Sequence, residues 1–130
     1  MKTDLFINNE WRPAASGKRF PVENPATEEN LGDVAAGDAA DVDNAVRAAR
    51  ACFESQAWRE LSARKRGRIL FKAADLLEAR LDEMSRLETA QNGKTLFESK
   101  IEINMTINTL RYYAGWADKI VGDTLPVDGL

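Results

Sequence analysis

Beyond Gly37 the apolar residues recur at spacings of three and four, which is the period of one face of an α-helix. This pattern is the strongest constraint that the sequence places on the fold. The first such stretch contains Val42, Ala45, Val46, Ala49 and Phe53, and the second contains Ile69, Leu70, Ala73, Leu76, Leu77, Leu81, Met84 and Leu87. Asp38 and Ser62 are placed to cap the two helices, and Asn92-Gly93 is a strong stop. Because the second stretch covers about thirty residues, well beyond a typical helix, we expect a break near residues 80–82, with Asp82 capping the new start.

Before Gly37 short apolar runs alternate with turn formers. Residues 5–7 and Trp11 flank Asn8-Asn9, which tolerate the positive φ of a tight hairpin, so a first strand pair is predicted. Residues 20–22 read as a short extended piece, residues 24–27 as a turn, and residues 31–36 as a further strand. We therefore expect strands and turns in residues 1–37, helices in residues 38–130, and a single unit overall.

The third apolar segment is ambiguous on its own pattern. Ile101, Ile103, Met105 and Ile107 alternate with polar residues, which is the period of a half-buried strand. The same residues, continued to Trp116, also fall on two helical faces, and the apolar character runs well past strand length. A long helix over residues 96–121, buried on more than one side, is the preferred prediction.

Charge and composition exclude several classes of function. A net charge of -3 argues against binding a nucleic acid backbone, because that affinity depends on Lys and Arg. The run Arg64-Lys65-Arg66-Gly67-Arg68 is a local exception that fits a phosphate or an acidic partner, but a solvated helix face is the preferred interpretation. No apolar run approaches the ~20 residues of a membrane span, and residues 1–4 do not read as a secretory signal. We expect a cytoplasmic protein.

Cys52 is the only cysteine and the chain contains no histidine, so neither an intrachain disulfide nor a zinc site is expected. A reactive thiol needs a base or a cationic environment, and only Arg50 is near in sequence. The preferred prediction for Cys52 is therefore a buried structural thiol rather than a nucleophile.

Two phosphate-binding motifs are excluded. Gly93-Lys94-Thr95 has the last three residues of a phosphate loop, but the first glycine of that motif falls at Glu88, in a predicted helix where a strand is required. No Gly-x-Gly-x-x-Gly occurs either, so no dinucleotide turn of that kind lies in this chain.

Several short motifs together carry a resemblance to one family. They are Leu5-Phe6-Ile7-Asn8-Asn9-Glu10-Trp11, Asn24-Pro25-Ala26-Thr27, Trp58-Arg59, Arg66-Gly67-Arg68-Ile69-Leu70, Leu87-Glu88-Thr89, Asn92-Gly93-Lys94, Leu110-Arg111-Tyr112-Tyr113-Ala114-Gly115-Trp116-Ala117-Asp118-Lys119, and Pro126-Val127-Asp128-Gly129. Over nearly its whole length the chain resembles the N-terminal segment of the cofactor-binding domain of NAD(P)-dependent aldehyde dehydrogenases. The resemblance implies an α/β fold that is α+β within this segment: a β-hairpin and short strands, then three or four long α-helices, without the main Rossmann-like sheet.

The same resemblance suggests site residues. Ile101 and Met105 fall where the family's helix lines the mouth of the aldehyde tunnel, although apolar core is an equal alternative. Many members also hold a monovalent cation with backbone groups at the turn matching Val22 and Glu23 and with an acidic side chain before Asn-Gly. This chain has Gln91 at that position, and a neutral amide holds a cation less well than a carboxylate.

The family oxidises aldehydes to carboxylic acids with NAD or NADP through a cysteine thiohemiacetal, and its nucleophile, base and cofactor loop lie downstream of the matched region. We therefore expect the chain alone to bind no cofactor and to be inactive, as a fragment of such an enzyme. The alternative is a short non-catalytic interaction module that associates with itself or with a full-length dehydrogenase through exposed helix faces. A small independent enzyme using Cys52 is the third hypothesis. A homo-oligomer is expected, without nucleic acid or membrane partners.

Overall fold

The structure, a computed structural model, describes residues 3–124. Its first part is two antiparallel pairs: β1 (Leu5–Ile7) with β2 (Glu10–Arg12), and β3 (Arg19–Glu23) with β4 (Asn30–Ala35). Asn8 and Asn9 have φ of 54° and 64°, so the first hairpin closes through the two left-handed residues that its sequence predicted. The predicted further strand is β4, and its partner β3 carries a register irregularity between Val22 and Glu23.

Five helices follow: α1 (Ala39–Glu54), α2 (Gln56–Arg59), α3 (Ala63–Glu78), α4 (Leu81–Asn92) and α5 (Leu96–Trp116). The predicted caps Asp38 and Ser62 both accept from backbone N–H groups, and the predicted break separates α3 from α4. Gly93 ends α4 in the left-handed region, with φ of 71°. The motif at residues 126–129 lies outside the described residues.

One predicted cap is wrong. The N-cap of α4 is Arg80, which makes no side-chain cap bond, whereas Asp82 lies in the first turn of the helix. The Asp82 carboxylate instead pairs with Arg86 at 3.2 Å and with Lys100 of α5 at 2.9 Å. A contact from another helix therefore decides the role of this side chain, and no local pattern reports such a contact.

The ambiguous third segment is helical, as preferred, but α5 ends at Trp116, before the predicted residue 121. The Ala117 N–H donates to the Ala114 carbonyl, which tightens the last turn, and the Lys119 N–H donates to the Trp116 carbonyl. Thr95 begins the helix with a capping box in which the Glu98 side chain reaches back to the Thr95 N–H.

Small residues let α3, α4 and α5 approach one another closely. A Cβ on buried Gly67 of α3 would lie 2.6 Å from the Ala114 carbonyl oxygen of α5. Where α4 meets α5, the Thr89 and Ser99 hydroxyls lie 2.8 Å apart, and Ser85 donates to a carbonyl of its own helix. Ile107 is the largest fully buried side chain among residues 3–124, so the core is the α3–α4–α5 contact.

Much of the apolar surface is uncovered. Val42, Val46 and Phe53, from the periodic stripe of α1, are each about 60% exposed. Cys52 is exposed too, so the prediction of a buried thiol is wrong. The reason is that α1 is held mainly at its beginning, where Asp41 accepts from the Ala15 N–H at 3.0 Å, while most of its later apolar side chains are left exposed.

Candidate functional site

Met105 lines an open cavity on α5. The cavity has a volume of about 400 Å³, and its other lining residues are Glu102, Thr106, Thr109 and Leu110. Ile101 lies one turn earlier on the helix and does not line this cavity, although its side chain is also exposed. The structure thus places the two predicted tunnel residues on one exposed apolar surface.

The way α5 packs explains this exposure. Ser99, Ile107 and Ala114 are buried against α3 and α4. Met105 is two residues from Ile107, which is about 200° around a helix, so its side chain faces away from the buried side. The same rotation gives α5 its alternating sequence pattern, because apolar residues are needed on the covered face and are also present on the uncovered one.

A lysine with two carboxylate partners borders the cavity. The Lys94 ammonium lies 2.8 Å from a Glu88 carboxylate oxygen and also pairs with Glu102. Only 23% of the Lys94 side chain is exposed, and the hydrogen bond with Glu102, followed by that with Glu88, raises the Lys94 pKa. This arrangement ties the segment after α4 to α5 and holds Glu102 at the edge of the cavity. The lysine of the excluded phosphate loop is therefore an ion-pair residue here.

The residues of the predicted cation site lie on two segments that meet. Val22 and Glu23 end β3, and Gln91 is exposed near the end of α4. Gly93 packs against the turn after β3, where a Cβ on it would lie 2.9 Å from Pro25 Cγ and 3.2 Å from the Ala26 nitrogen. Within residues 3–124 no cluster of three or more His, Cys, Asp or Glu side chains is arranged for a metal ion.

Cys52 lies on the exposed side of α1, and within the described part of the chain its thiol has no hydrogen-bond partner. The neighbouring Arg50 is turned elsewhere: it lies 3.8 Å from Glu54 and 5.8 Å from the centre of the Phe53 ring. A thiol without a base or a directed cation is a weak nucleophile. The structure therefore supplies no catalytic arrangement around Cys52.

An ion-pair cluster that the sequence interpretation missed joins α3 to α5. The Arg111 guanidinium lies 2.6 Å from Glu78 and 3.0 Å from Asp75. Hydrogen bonding to Arg111 is the largest influence on the Glu78 pKa, which it lowers, and the same contacts raise the Arg111 pKa. The clue in the sequence was a single Arg inside an aromatic block, but only the helix packing identifies its partners.

None of the helices within residues 3–124 has the length and apolar character that a membrane span requires.

Comparison with known proteins matches these features to one family. The model of the aldehyde dehydrogenase family matches residues 11–129. Aldehyde dehydrogenase 1A1 of Macaca fascicularis is 50% identical over 129 residues, which are 98% of this chain and 26% of that protein. Mitochondrial aldehyde dehydrogenase of Equus caballus is 50% identical over 127 residues, which are 96% of this chain and 25% of that protein.

A solved structure extends the match to three dimensions. The NAD+ complex of aldehyde dehydrogenase from Bacillus cereus superposes with a TM-score of 0.92 at 40% identity, covering 98% of this chain and 26% of that one. The strands and helices are thus an α/β fragment of that fold. The chain spans about a quarter of the length of the relatives that it matches. By sequence and by fold, it belongs to the aldehyde dehydrogenase family.

Proposed function

We propose that this chain is the N-terminal part of an NAD- or NADP-dependent aldehyde dehydrogenase. In the proposed reaction an aldehyde and water are converted to a carboxylic acid while the oxidised cofactor accepts a hydride, through a thiohemiacetal on a cysteine outside this chain. The observation that carries the proposal is 50% identity to an aldehyde dehydrogenase over 98% of this chain. A cytoplasmic location is part of the proposal, and cell fractionation tests it.

Within that enzyme, α5 would form part of the aldehyde tunnel. Ile101 and Met105 are the proposed contacts, and two features support them: both side chains are exposed although apolar, and Met105 lines the cavity of about 400 Å³. Apolar walls exclude water from the path of the aldehyde and orient its chain, while the chemistry occurs elsewhere. The proposed contribution of this segment is therefore to substrate selection.

The isolated chain is proposed to be inactive and to bind no cofactor. Cys52 lacks a base within residues 3–124, and the chain has no histidine to supply one. Incubation of the purified chain with NAD and a panel of aldehydes should give no absorbance from reduced cofactor. Steady turnover by the chain alone would contradict this part of the proposal.

The decisive experiment uses the native polypeptide. An antibody raised against this chain is used to isolate the polypeptide from its source cells, and its mass and its aldehyde-dependent NAD and NADP reduction are measured. The proposal expects a polypeptide about four times as long as this chain, since the chain spans 26% of its relatives, and it expects turnover. A native polypeptide of the mass of this chain, without activity, would reject the proposal.

The uncovered apolar surface favours a second candidate, a non-catalytic module that associates with itself or with a full-length dehydrogenase. Phe53 and Met105 are each 61% exposed, on different helices, and surfaces of this kind mark interaction sites. The native mass distinguishes the two candidates, because only the module requires a polypeptide of this length. Co-isolation of a longer aldehyde dehydrogenase with the short polypeptide would support the module.

We also propose that Val22, Glu23 and Gln91 form a monovalent cation site of low affinity. The packing of Gly93 against Pro25 supports it, because that contact holds the end of α4 beside the turn after β3. Gln91 supplies a neutral oxygen where a carboxylate would attract a cation more strongly. Thermal unfolding in sodium or potassium, compared with a bulky organic cation at equal ionic strength, tests the site. Gln91→Glu should increase the difference between the cations.

A further inference from the structure

The end of α4 joins two residues that can react with each other. Asn92 is the last residue of α4 and Gly93 follows it, and this is the only Asn-Gly pair in the chain. In such a pair the glycine nitrogen can attack the asparagine Cγ, because glycine has no side chain to obstruct the approach. Asn92 is also exposed, so water reaches it. By its sequence, this pair is the asparagine position of the chain most open to deamidation.

The reaction balances with water as the only co-reactant. The Gly93 nitrogen gives up its proton and bonds to the Asn92 Cγ, while the bond from Cγ to Nδ2 breaks and ammonia leaves with that proton. Water then opens the resulting cyclic succinimide at either carbonyl. One opening gives aspartate. The other gives isoaspartate, in which the main chain runs through Cβ and Cγ and is one carbon longer.

The folded chain holds the two reacting groups apart. The Gly93 N–H donates to the Thr89 carbonyl at 2.9 Å, so its proton is engaged in the last turn of the helix. The Asn92 amide donates to a Glu88 carboxylate oxygen at 3.0 Å, one turn back. Side chains on a helix tilt toward its N-terminus, which directs the Asn92 Cγ away from the nitrogen that follows it. The reaction therefore requires the last turn of α4 to open.

Contacts from outside α4 keep this turn closed. The Lys94 ammonium lies 2.8 Å from the same Glu88 oxygen and also pairs with Glu102 of α5. On the other side, a Cβ on Gly93 would lie 2.9 Å from Pro25 Cγ, and the φ of Gly93 is in the left-handed region, at 71°. Both the packing and the backbone thus require glycine here, although glycine is also the residue that promotes the reaction.

We propose that Asn92-Gly93 is a deamidation site that the fold keeps closed, and that its reaction permanently opens the junction between α4 and α5. Isoaspartate lengthens the main chain directly before Gly93, whose contact with Pro25 leaves no space for an added Cβ. The new carboxylate also lies one turn from Glu88 and at the negative end of the helix dipole. Both effects disfavour the original packing, so a brief opening becomes a lasting one. The inference concerns this junction alone and does not depend on the proposed aldehyde chemistry.

The test compares deamidation in the folded and the unfolded chain. The purified chain is incubated at mildly alkaline pH with and without urea, and far-UV circular dichroism establishes that it is folded without urea. Trypsin then releases residues 87–94 as one peptide, whose aspartate and isoaspartate forms are measured by chromatography and mass spectrometry. The reaction should be about tenfold faster or more in urea, because only the folded chain must first open locally. Asn104, which is followed by methionine, is the internal reference and should react more slowly than Asn92 in urea.

Two matched variants test whether the contact with α5 keeps the site closed. Glu102→Gln removes one partner of Lys94 and lies outside the reacting peptide, so it should speed the reaction about twofold or more in the folded chain and leave the rate in urea unchanged. Glu54→Gln removes an equal charge from an exposed ion pair on α1 and should change neither rate. Equal rates with and without urea, or equal effects of the two variants, would overturn the proposal.

The modified chain provides a second readout. Anion exchange separates it from the unmodified chain by its added negative charge, and urea unfolding of the two is then compared. The modified chain should unfold at a lower urea concentration, because the packing of Gly93 against Pro25 is lost. An unchanged midpoint would mean that the junction closes again after the reaction, and would overturn the proposed opening.

Discussion

The close crossing of α3 and α5 at Gly67 predicts opposite effects for one substitution at two glycines. A Cβ on Gly67 would lie 2.6 Å from the Ala114 carbonyl oxygen and 3.1 Å from the Ala117 Cβ, whereas a Cβ on Gly115 would meet nothing within 4 Å. Both glycines are inside helices. Alanine therefore improves helix propensity at both positions and creates a clash at only one.

The magnitudes follow from these two effects. Gly to Ala in a helix interior gains about 1 kcal/mol, and overpacking costs about 1–3 kcal/mol. The obstacle at Gly67 is a backbone carbonyl, which has no rotamer to escape into, so we take the upper value, and Gly67→Ala should lose about 2 kcal/mol of unfolding free energy. Gly115→Ala, one residue from the end of α5, should gain about 0.5 kcal/mol.

Urea unfolding followed by far-UV circular dichroism measures both changes, with the slope of the transition as a check that each variant unfolds from the same compact state. The comparison between the two variants matters more than either value alone, because the chemical change is identical. If Gly67→Ala is as stable as the wild type, or if both variants shift in the same direction, the helix crossing is not limited by this contact and the reasoning is wrong.

Three further predictions concern other contacts. Asp41→Ala should cost about 2 kcal/mol, since the buried Asp41 carboxylate accepts from the Ala15 and Asp38 N–H groups, whereas Asp43→Ala on the exposed side should stay near wild type; urea midpoints check this, and equal losses would contradict it. The Glu78 pKa is lowered from 4.5 mainly by its hydrogen bond with Arg111, so the stability it contributes is present above that value and lost as the pH falls through the lowered pKa. In Arg111→Gln the unfolding free energy should therefore decrease less steeply as the pH falls below about 5. Acid titrations of the wild type and the variant measure this slope. In the active native polypeptide, Met105→Trp should raise KM for bulky aldehydes more than for small ones; a uniform change in steady-state kinetics would reject a tunnel contact.

Local chemistry explains which elements could be predicted. Caps at Asp38 and Ser62, the stop at Gly93 and the left-handed turn at Asn8 depend on interactions within a few residues, so the sequence contains what is needed. The family resemblance depends on many short motifs together, and the family match confirms it. The segment that contains Met105 was predicted to be helical mainly from the resemblance, because its alternating pattern fits a strand equally well, and it is helical in the structure.

The sequence by itself determined the order of the strands and of the longer helices, the caps at Asp38 and Ser62, and the family, because these follow from backbone preferences and side chains close together in the chain. The tertiary structure alone decided that Asp82 pairs with Lys100, and that Arg111 joins α3 to α5. It also decided that Cys52 is exposed. Burial and ion pairing depend on which helices pack together, and residues far apart in sequence carry no local pattern that names their partners.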